Sequence, residues 1–409
     1  MKKTFKNLSL FAGLAVGAMG YSCVDQNEAP SLSPNALEVV QYLHGEVIPG
    51  KFIVQLKSET INFRKAKDYS ANQESMRKIS TDLLSKYRIA EENLEYVYGS
   101  TIEGFSVSLS QTQYEELSQD PSVKRIEPDR VVMLAPPPGK GPGSGGGGEE
   151  GSNPQVNPYG ITRVGGGTTY TGSGKAYVID SGIDSSHPDL NVNASAGFNA
   201  FTKGKDSKLS SDGNGHGTHV AGTIAAIDNN FGVIGVAAGA TVVPVKVLDS
   251  RGSGSYSGVI AGVNFVAANG SIGDVANMSL GGPASAALDD AVIALGQAGI
   301  KVALAAGNES QNASNSSPAR ANGTNIYTVS AIDSNDRFAS FSNFGNPPVD
   351  FAAPGVGILS TVPGGGYASY NGTSMASPHV AGVLLTGTPR NGGSALNDPD
   401  GNADPIAIK

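Results

Sequence analysis

The apolar rhythm of the chain changes twice, and each change marks a boundary. From residue 46 to 134 the pattern is mixed and short-ranged. Lys51-Phe-Ile-Val-Gln-Leu56 alternates with period two, as a strand does, whereas Ser70 to Arg88 sets Met76, Ile79, Leu83 and Tyr87 on one helical face. Leu94 to Tyr98 and Gly104 to Leu109 read as strands, Gln111 to Ser118 as a short helix and Val123 to Ile126 as a last strand. The order β-α-β-β-α-β predicts a small α+β domain of the split βαβ kind. Residues 135–154 lose all periodicity in a run of Pro, Gly, Ser and Glu, which can bury nothing and reads as a linker.

Between residues 155 and 385 short apolar runs return: Ala176 to Ile179, Val242 to Leu248, Val275 to Leu280, Val302 to Ala306 and Ile326 to Ile332. Helical stretches lie between them, as in Ser257 to Ala268 and Ala284 to Gln297. This alternation predicts the α/β class, a mostly parallel sheet with helices on both faces. In such sheets ligands bind at the carboxyl ends of the strands, so the chemistry is expected just after strands. The polar, turn-rich residues 386–409 are expected to form a solvated tail. Asp398, Asp400 and Asp404 within it suggest metal ligands less well than they suggest an exposed segment.

Composition sharpens this picture in three places. With 409 residues and 39% hydrophobic content the chain has room for two folded units. A net charge of -8 argues against a nucleic-acid partner, which favours a basic face. Cys23 stands alone, so no intramolecular disulfide can form, and a large core does not need one. Its position is informative: Met1-Lys2-Lys3 and Lys6 precede an apolar stretch from Leu8 to Met19 and then Ser22-Cys23. Residues 1–23 therefore read as a signal peptide, too short for a membrane span. The cysteine resembles the lipidated residue of a bacterial lipoprotein signal, the alternative being an ordinary cleaved signal. Either way the protein is expected to be exported, as a cell-envelope lipoprotein or a secreted enzyme. Residues 24–45 read as a linker, with His44 ahead of the folded regions.

Three segments carry candidate chemistry. Val178-Ile-Asp180-Ser-Gly-Ile-Asp184 puts an acid at the end of an apolar strand. Asn214-Gly-His216-Gly-Thr-His219-Val-Ala-Gly222 starts a helix on a histidine, and Asn371-Gly-Thr-Ser374-Met-Ala-Ser-Pro378 places a serine at a helix start after a glycine turn. A serine hydroxyl needs an adjacent base, and histidine, with an ordinary pKa of about 6.5, can supply one at neutral pH. An acid then orients the imidazole and stabilises its charged form. The His216-x-x-His219 pair lacks the glutamate and third ligand of a zinc helix, so His219 reads as a core histidine. Ala376, two residues past Ser374, excludes the glycine of an α/β-hydrolase elbow.

Together the three segments resemble the signature motifs of the subtilisin family of serine proteases, which have the same acid, histidine, serine order. The resemblance covers nearly all of residues 155–385. It implies a serine endopeptidase acting on protein or peptide substrates through an acyl-enzyme, with Asp180, His216 and Ser374 as triad and Asn308, after Ala305-Ala306-Gly307, as oxyanion donor. It further implies that Ser279-Leu280-Gly281 and Ala306-Gly307 wall the primary specificity pocket. Gly252-Ser253-Gly254 would pair with an extended substrate. Glu309 near the pocket would tolerate a basic residue among large apolar ones. Structural calcium is implied at the loop Ile227-Asp-Asn229-Asn-Phe231-Gly-Val233, through the carbonyls of Ile227, Phe231 and Val233 with Asn229, Asp189 and Gln155. All of these are oxygen donors suited to a hard cation. Ile48-Pro-Gly-Lys-Phe-Ile-Val54 and Val123-Lys-Arg-Ile-Glu-Pro-Asp129 resemble the family's propeptide, which implies a self-processing precursor inhibited by residues 46–134. A catalytically dead binding module and an esterase using the same residues are the competing classes.

Overall fold

The structure, a computed structural model, describes residues 43–66, 68–134 and 154–409. The expected signal segment with Cys23 and the linker up to residue 153 lie outside the described residues. Among the described residues no helix is long and apolar enough to cross a membrane.

The N-terminal domain follows the expected order: Val47–Leu56 (β1), Tyr69–Lys86 (α1), Leu94–Tyr98 (β2), Gly104–Ser108 (β3), Gln111–Ser118 (α2) and Val123–Met133 (β4). Both helices start on side-chain caps. Asp68 accepts from the Ala71 N–H at 2.7 Å, and Ser110 and Gln113 form a reciprocal capping box. Val54, Leu56 and Phe105 of the antiparallel sheet pack on Met76, Leu83, Leu84 and Leu117 of the helices.

The second domain is built on Ala176–Asp180 (β5), Phe198–Asn199 (β6), His216–Ala225 (α3), Val242–Lys246 (β7), Ser253–Ser255 (β8) and Tyr256–Asn269 (α4). Val275–Met278 (β9), Ala286–Gln297 (α5), Lys301–Ala305 (β10), Ile326–Ile332 (β11), Val349–Pro354 (β12) and Thr373–Thr386 (α6) follow. Arg390–Ser394 (β13) and Pro405–Ile408 (β14) end it. The nine-stranded sheet runs β13-β14-β12-β11-β10-β9-β5-β7-β6 and is parallel except for the β13–β14 pair. Successive residues of one strand feed opposite cores, as period two requires. Ile179 and Leu304 pack with Val259, Val263 and Val292 of α4 and α5, whereas Val178 and Ala303 pack with Val220, Ile224, Val380 and Leu384 of α3 and α6.

Two expectations are corrected here. Residues 386–409 are not a solvated tail: β14 joins β12 through Ala352 and Ile406, and Ile406, Ala407 and Asp404 are buried. A short strand pairs through its backbone and here needs only two apolar side chains, too few to register as a period. Nor are residues 43–45 a free linker. The Gly45 N–H donates to the Val131 carbonyl at 2.9 Å, beside β4. The sheet of the N-terminal domain itself continues into the second domain, with β8 joined to the edge strand β4.

Candidate active site

Asp180 ends β5 as a fully buried carboxylate, and His216 opens α3 on its other side. His216 Nδ1 lies 2.9 Å from both Asp180 oxygens, and Oδ1 also accepts from the Ser181 N–H at 2.7 Å. This geometry fixes the tautomer that leaves Nε2 free to take a proton. Burial opposes a charge on His216. The Asp180 charge and hydrogen bond, with the charge of Asp212, outweigh it and hold the pKa above the ordinary histidine value.

Asp212 is a residue the sequence reading missed. Its Oδ1 accepts from the N–H groups of Asn214 and Gly215, at 3.0 and 2.8 Å. Its Oδ2 accepts from the Thr218 N–H and hydroxyl, at 2.9 and 2.7 Å. The carboxylate thus ties the turn before His216 to the first turn of α3, and an acid just ahead of Gly-Asn-Gly-His was its sequence signal. His219 is the core histidine expected. Its Nε2 lies 3.0 Å from the carbonyls of Ile358 and Ala368, its ring stacks on Tyr370 at 4.3 Å, and burial lowers its pKa to about 3.

Ser374 lies in the first turn of α6, which starts after Gly372, whose φ of 147° favours glycine. Pro378 lies four residues on and has no N–H, so the Ser374 carbonyl loses its helical partner. The Ser279 hydroxyl replaces it, donating to that carbonyl at 2.8 Å. The Ser374 hydroxyl in turn donates to the Ser279 carbonyl at 3.1 Å. Ser279, expected only as a pocket wall, thus grips the serine at both ends. Asn308 follows β10, and its side-chain oxygen accepts from the Thr373 N–H at 2.8 Å and the Thr373 hydroxyl at 3.0 Å. Because the Thr373 N–H can only donate, the amide orientation is set, and Nδ2 remains available to a ligand.

Ser374 and Asn308 open onto a cavity of about 610 Å³, walled by Ser279-Leu280-Gly281 on one side and Ala305-Ala306-Gly307 on the other. Glu309 also lines it and accepts from Asn343 Nδ2 at 2.7 Å. The expected substrate strand is paired with the chain's own β4: Ser253 faces Met133, Gly254 faces Val132 and Ser255 faces Val131. The Leu134 N–H then donates to the Gly252 carbonyl at 2.9 Å, and Leu134 lines the cavity. A side chain at 254 would collide with the Val247 carbonyl, which explains a glycine there.

Two carboxylates before this segment cap helices of the second domain. Asp129 accepts from the Ser257 N–H and hydroxyl, at 3.1 and 2.5 Å, at the start of α4. Glu127 accepts from the Ser285 hydroxyl at 2.9 Å and the Ala287 N–H at 3.1 Å, at the start of α5. Both negative charges meet the positive ends of helix dipoles. Burial raises the Asp129 pKa even though these hydrogen bonds oppose it.

The six residues expected to hold calcium come together. Gln155 Nε2 donates to the carbonyls of Ile227 and Val233, at 2.7 and 3.2 Å, and Asn229 Nδ2 donates to Asp189 Oδ1 at 2.7 Å. Asp189 is fully buried, and burial raises its pKa against the hydrogen bonds from Val233, Asn229 and Tyr367. Phe231 closes the loop by donating its N–H to Asn229 Oδ1 at 2.8 Å. The Phe231 N–H fixes the Asn229 amide, whereas the Gln155 amide presents nitrogen to two carbonyls and, turned over, would present its oxygen beside them to a common cation. The donor set fits a hard metal. It holds one carboxylate, and among the described residues no group of three His, Cys, Asp or Glu is arranged for a metal.

Lys246 was also missed, because a lysine at a strand end reads as solvated. It is fully buried, and Nζ donates to the carbonyls of Ser181 and Leu248, at 2.6 and 2.9 Å, with Asp206 at 3.5 Å. It thus ties the turn after Asp180 to the loop leading to the substrate strand.

Comparison with known proteins agrees with this geometry. Residues 176–389 match the Subtilase family, and residues 51–135 match Peptidase inhibitor I9. The chain is 45% identical over 287 residues to Subtilisin NAT of Bacillus subtilis subsp. natto, covering 68% of each chain. It is 38% identical over 367 residues to Subtilisin-like protease 1 of Arthroderma otae, covering 85% of this chain and 70% of that one. A solved structure of a cold-adapted subtilisin-like serine proteinase superposes with a TM-score of 0.54 at 38% identity, over 63% of this chain and 98% of that chain. The chain belongs to the subtilase family: it is a subtilisin-type serine endopeptidase that carries its own inhibitor-type propeptide.

Proposed function

We propose that Ser374 is the nucleophile of this endopeptidase, His216 its general base and Asp180 the acid that orients the base. The carrying observation is the Asp180–His216 pair, in which one imidazole nitrogen is held by a buried carboxylate and the other is left free. As Ser374 Oγ leaves the Ser279 carbonyl and attacks a peptide carbonyl, its proton passes to His216 Nε2. The oxyanion that forms takes hydrogen bonds from Asn308 Nδ2 and the Ser374 N–H. His216 then gives its proton to the leaving amine, and water repeats the sequence on the acyl-enzyme. Gly252, Ser253 and Gly254 align the substrate backbone. Ser279, Leu280, Gly281, Ala306 and Gly307 bound the pocket for the residue before the scissile bond, and Glu309 beside it favours a basic side chain as well as apolar ones.

The same reading makes the enzyme self-processing, since β4 runs along the substrate strand towards Ser374. Purified Ser374→Ala precursor, free of other proteases, should keep its propeptide indefinitely. Normal maturation of that variant would overturn the assignment.

Gln155, Asp189 and Asn229, with the carbonyls of Ile227, Phe231 and Val233, would hold a structural calcium ion. Bound there, the ion supplies positive charge to a buried carboxylate and locks the loop, with no part in bond breaking. Export rests on the basic start and apolar stretch of residues 1–23, and a lipid anchor on the position of Cys23. Incorporation of labelled palmitate, lost in Cys23→Ser, tests the anchor.

A further inference from the structure

An extended segment in the cleft has two edges. One edge of Val131–Met133 is paired with β8. Its other edge would be expected to face the wall Ser279–Gly282, but a second piece of chain lies there. The Gly45 N–H donates to the Val131 carbonyl and the Val131 N–H to the Glu46 carbonyl, both at 2.9 Å. Two residues on, the Met133 N–H donates to His44 Nδ1 at 3.0 Å. The Arg130 guanidinium donates to the Gly45 carbonyl at 2.8 Å, so both backbone polar groups of Gly45 are used. Glu46 closes the turn by accepting from the Leu43 N–H at 2.8 Å.

This segment meets the wall at two glycines. A Cβ on Gly282 would come within 3.1 Å of the His44 ring, and one on Gly45 within 2.7 Å of Pro283. Gly45 also has a φ of 78°, which disfavours any side chain. Leu43 and His44 line the cavity together with Leu134 and Ser374. Burial lowers the His44 pKa, against the pull of Glu309, so the ring is neutral near pH 7 and Nδ1 can accept.

We propose that residues 43–46 are a second inhibitory strand, so that the propeptide fills the cleft with a two-stranded tongue wedged between Ser253–Ser255 and the Gly282–Pro283 shelf. This rests on the reading of the cleft as the peptide-binding site. The second strand does not depend on an intact linker after residue 134. Cutting that linker therefore leaves the shelf covered, and activity waits until the tongue leaves as one piece. The shelf then becomes free for the substrate edge that the tongue had covered.

The test uses the full-length precursor and follows hydrolysis of a chromogenic peptide as it matures. His44→Ala removes the acceptor of the Met133 N–H, and Gly45→Val drives a side chain into Pro283. Each should shorten the delay between linker cleavage and half-maximal activity, by about tenfold for loss of roughly 1.4 kcal/mol of contact. The kcat/KM of the mature enzyme should match wild type, because the tongue has left. His44→Ala replaces a partly solvated side chain and should fold normally, which covers the risk that Gly45→Val does not. Equal delays in wild type and His44→Ala, with equal yields of processed enzyme, would overturn the proposal. Failure of the underlying reading looks different, since wild type itself would then show no delay between cleavage and activity.

Discussion

Asp180 and Asp404 are both fully buried carboxylates, at opposite regions of one sheet, and they have been given opposite surroundings. Asp180 meets an imidazole at 2.9 Å through both oxygens and a backbone N–H besides. Asp404, just before β14, accepts from the Ser330 hydroxyl on one oxygen, and the other has no partner. Burial pushes its pKa to about 6, helped by the charges of Asp398 and Asp400 and opposed by the Ser330 hydrogen bond. Burial alone thus makes an acid that resists ionisation. A buried partner that can carry positive charge makes one that can serve a reaction.

The sharpest way to break this comparison is to remove the charge at each site in turn. Asp180→Asn keeps the shape but can donate to Nδ1, which favours the tautomer with Nε2 protonated. It should lower kcat by about 10⁴, a magnitude known for this kind of triad rather than deduced from this chain. The check is kcat of mature enzyme prepared with trace wild-type protease, and a loss under tenfold would separate Asp180 from His216 function.

The loop proposed to hold calcium packs on a third buried carboxylate, Asp189, which has amide and hydroxyl donors but no cation among its hydrogen-bond partners. If calcium completes it, a chelator should lower Tm strongly while the initial rate at low temperature persists. Binding to the native state alone adds about 4 kcal/mol at a thousandfold excess over Kd. Asp189→Asn should show the lowered Tm already and respond no further to chelator. An unchanged wild-type Tm would empty the site.

Asp404→Asn should act in the other direction and more weakly. A carboxyl whose folded pKa is raised from 3.8 to about 6 stabilises the fold fully below the lower value, and that contribution fades as pH rises through about 6. An asparagine keeps the neutral shape, so at pH 8 the variant should be more stable by on the order of 3 kcal/mol. Urea midpoints at pH 4 and pH 8 check this, and a gain of equal size at both would contradict it.

The same contrast explains what could be read from the sequence. Strand and helix alternation from Ala176 to Ile332 was legible because successive side chains such as Val178 and Ile179 must enter different apolar cores. The three candidate segments around Asp180, His216 and Ser374 were legible because each sits in a local turn with its own spacing. Asp404 was not, since a fully buried aspartate looks like a solvated one until Ser330 is brought against it. The Ser279 hydroxyl was hidden for a similar reason. Its role exists only because Pro378 frees a carbonyl that lies 95 residues away along the chain. His44 was misplaced ahead of the folded regions because its partner, the Met133 N–H, is reached through the whole N-terminal domain.

The account's central claim is that Ser374 is made reactive by His216, and the most direct test is the pH dependence of its labelling by a fluorophosphonate. Mature enzyme should acquire one adduct, mapped by peptide mass to Ser374, with loss of activity in step. Because only the neutral imidazole can take the Ser374 proton, the labelling rate should rise with pH through a single ionisation. Burial draws that midpoint down, but Asp180 and Asp212 hold it above the ordinary 6.5. An adduct at another residue, activity that survives full labelling, or a rate independent of pH would contradict the claim.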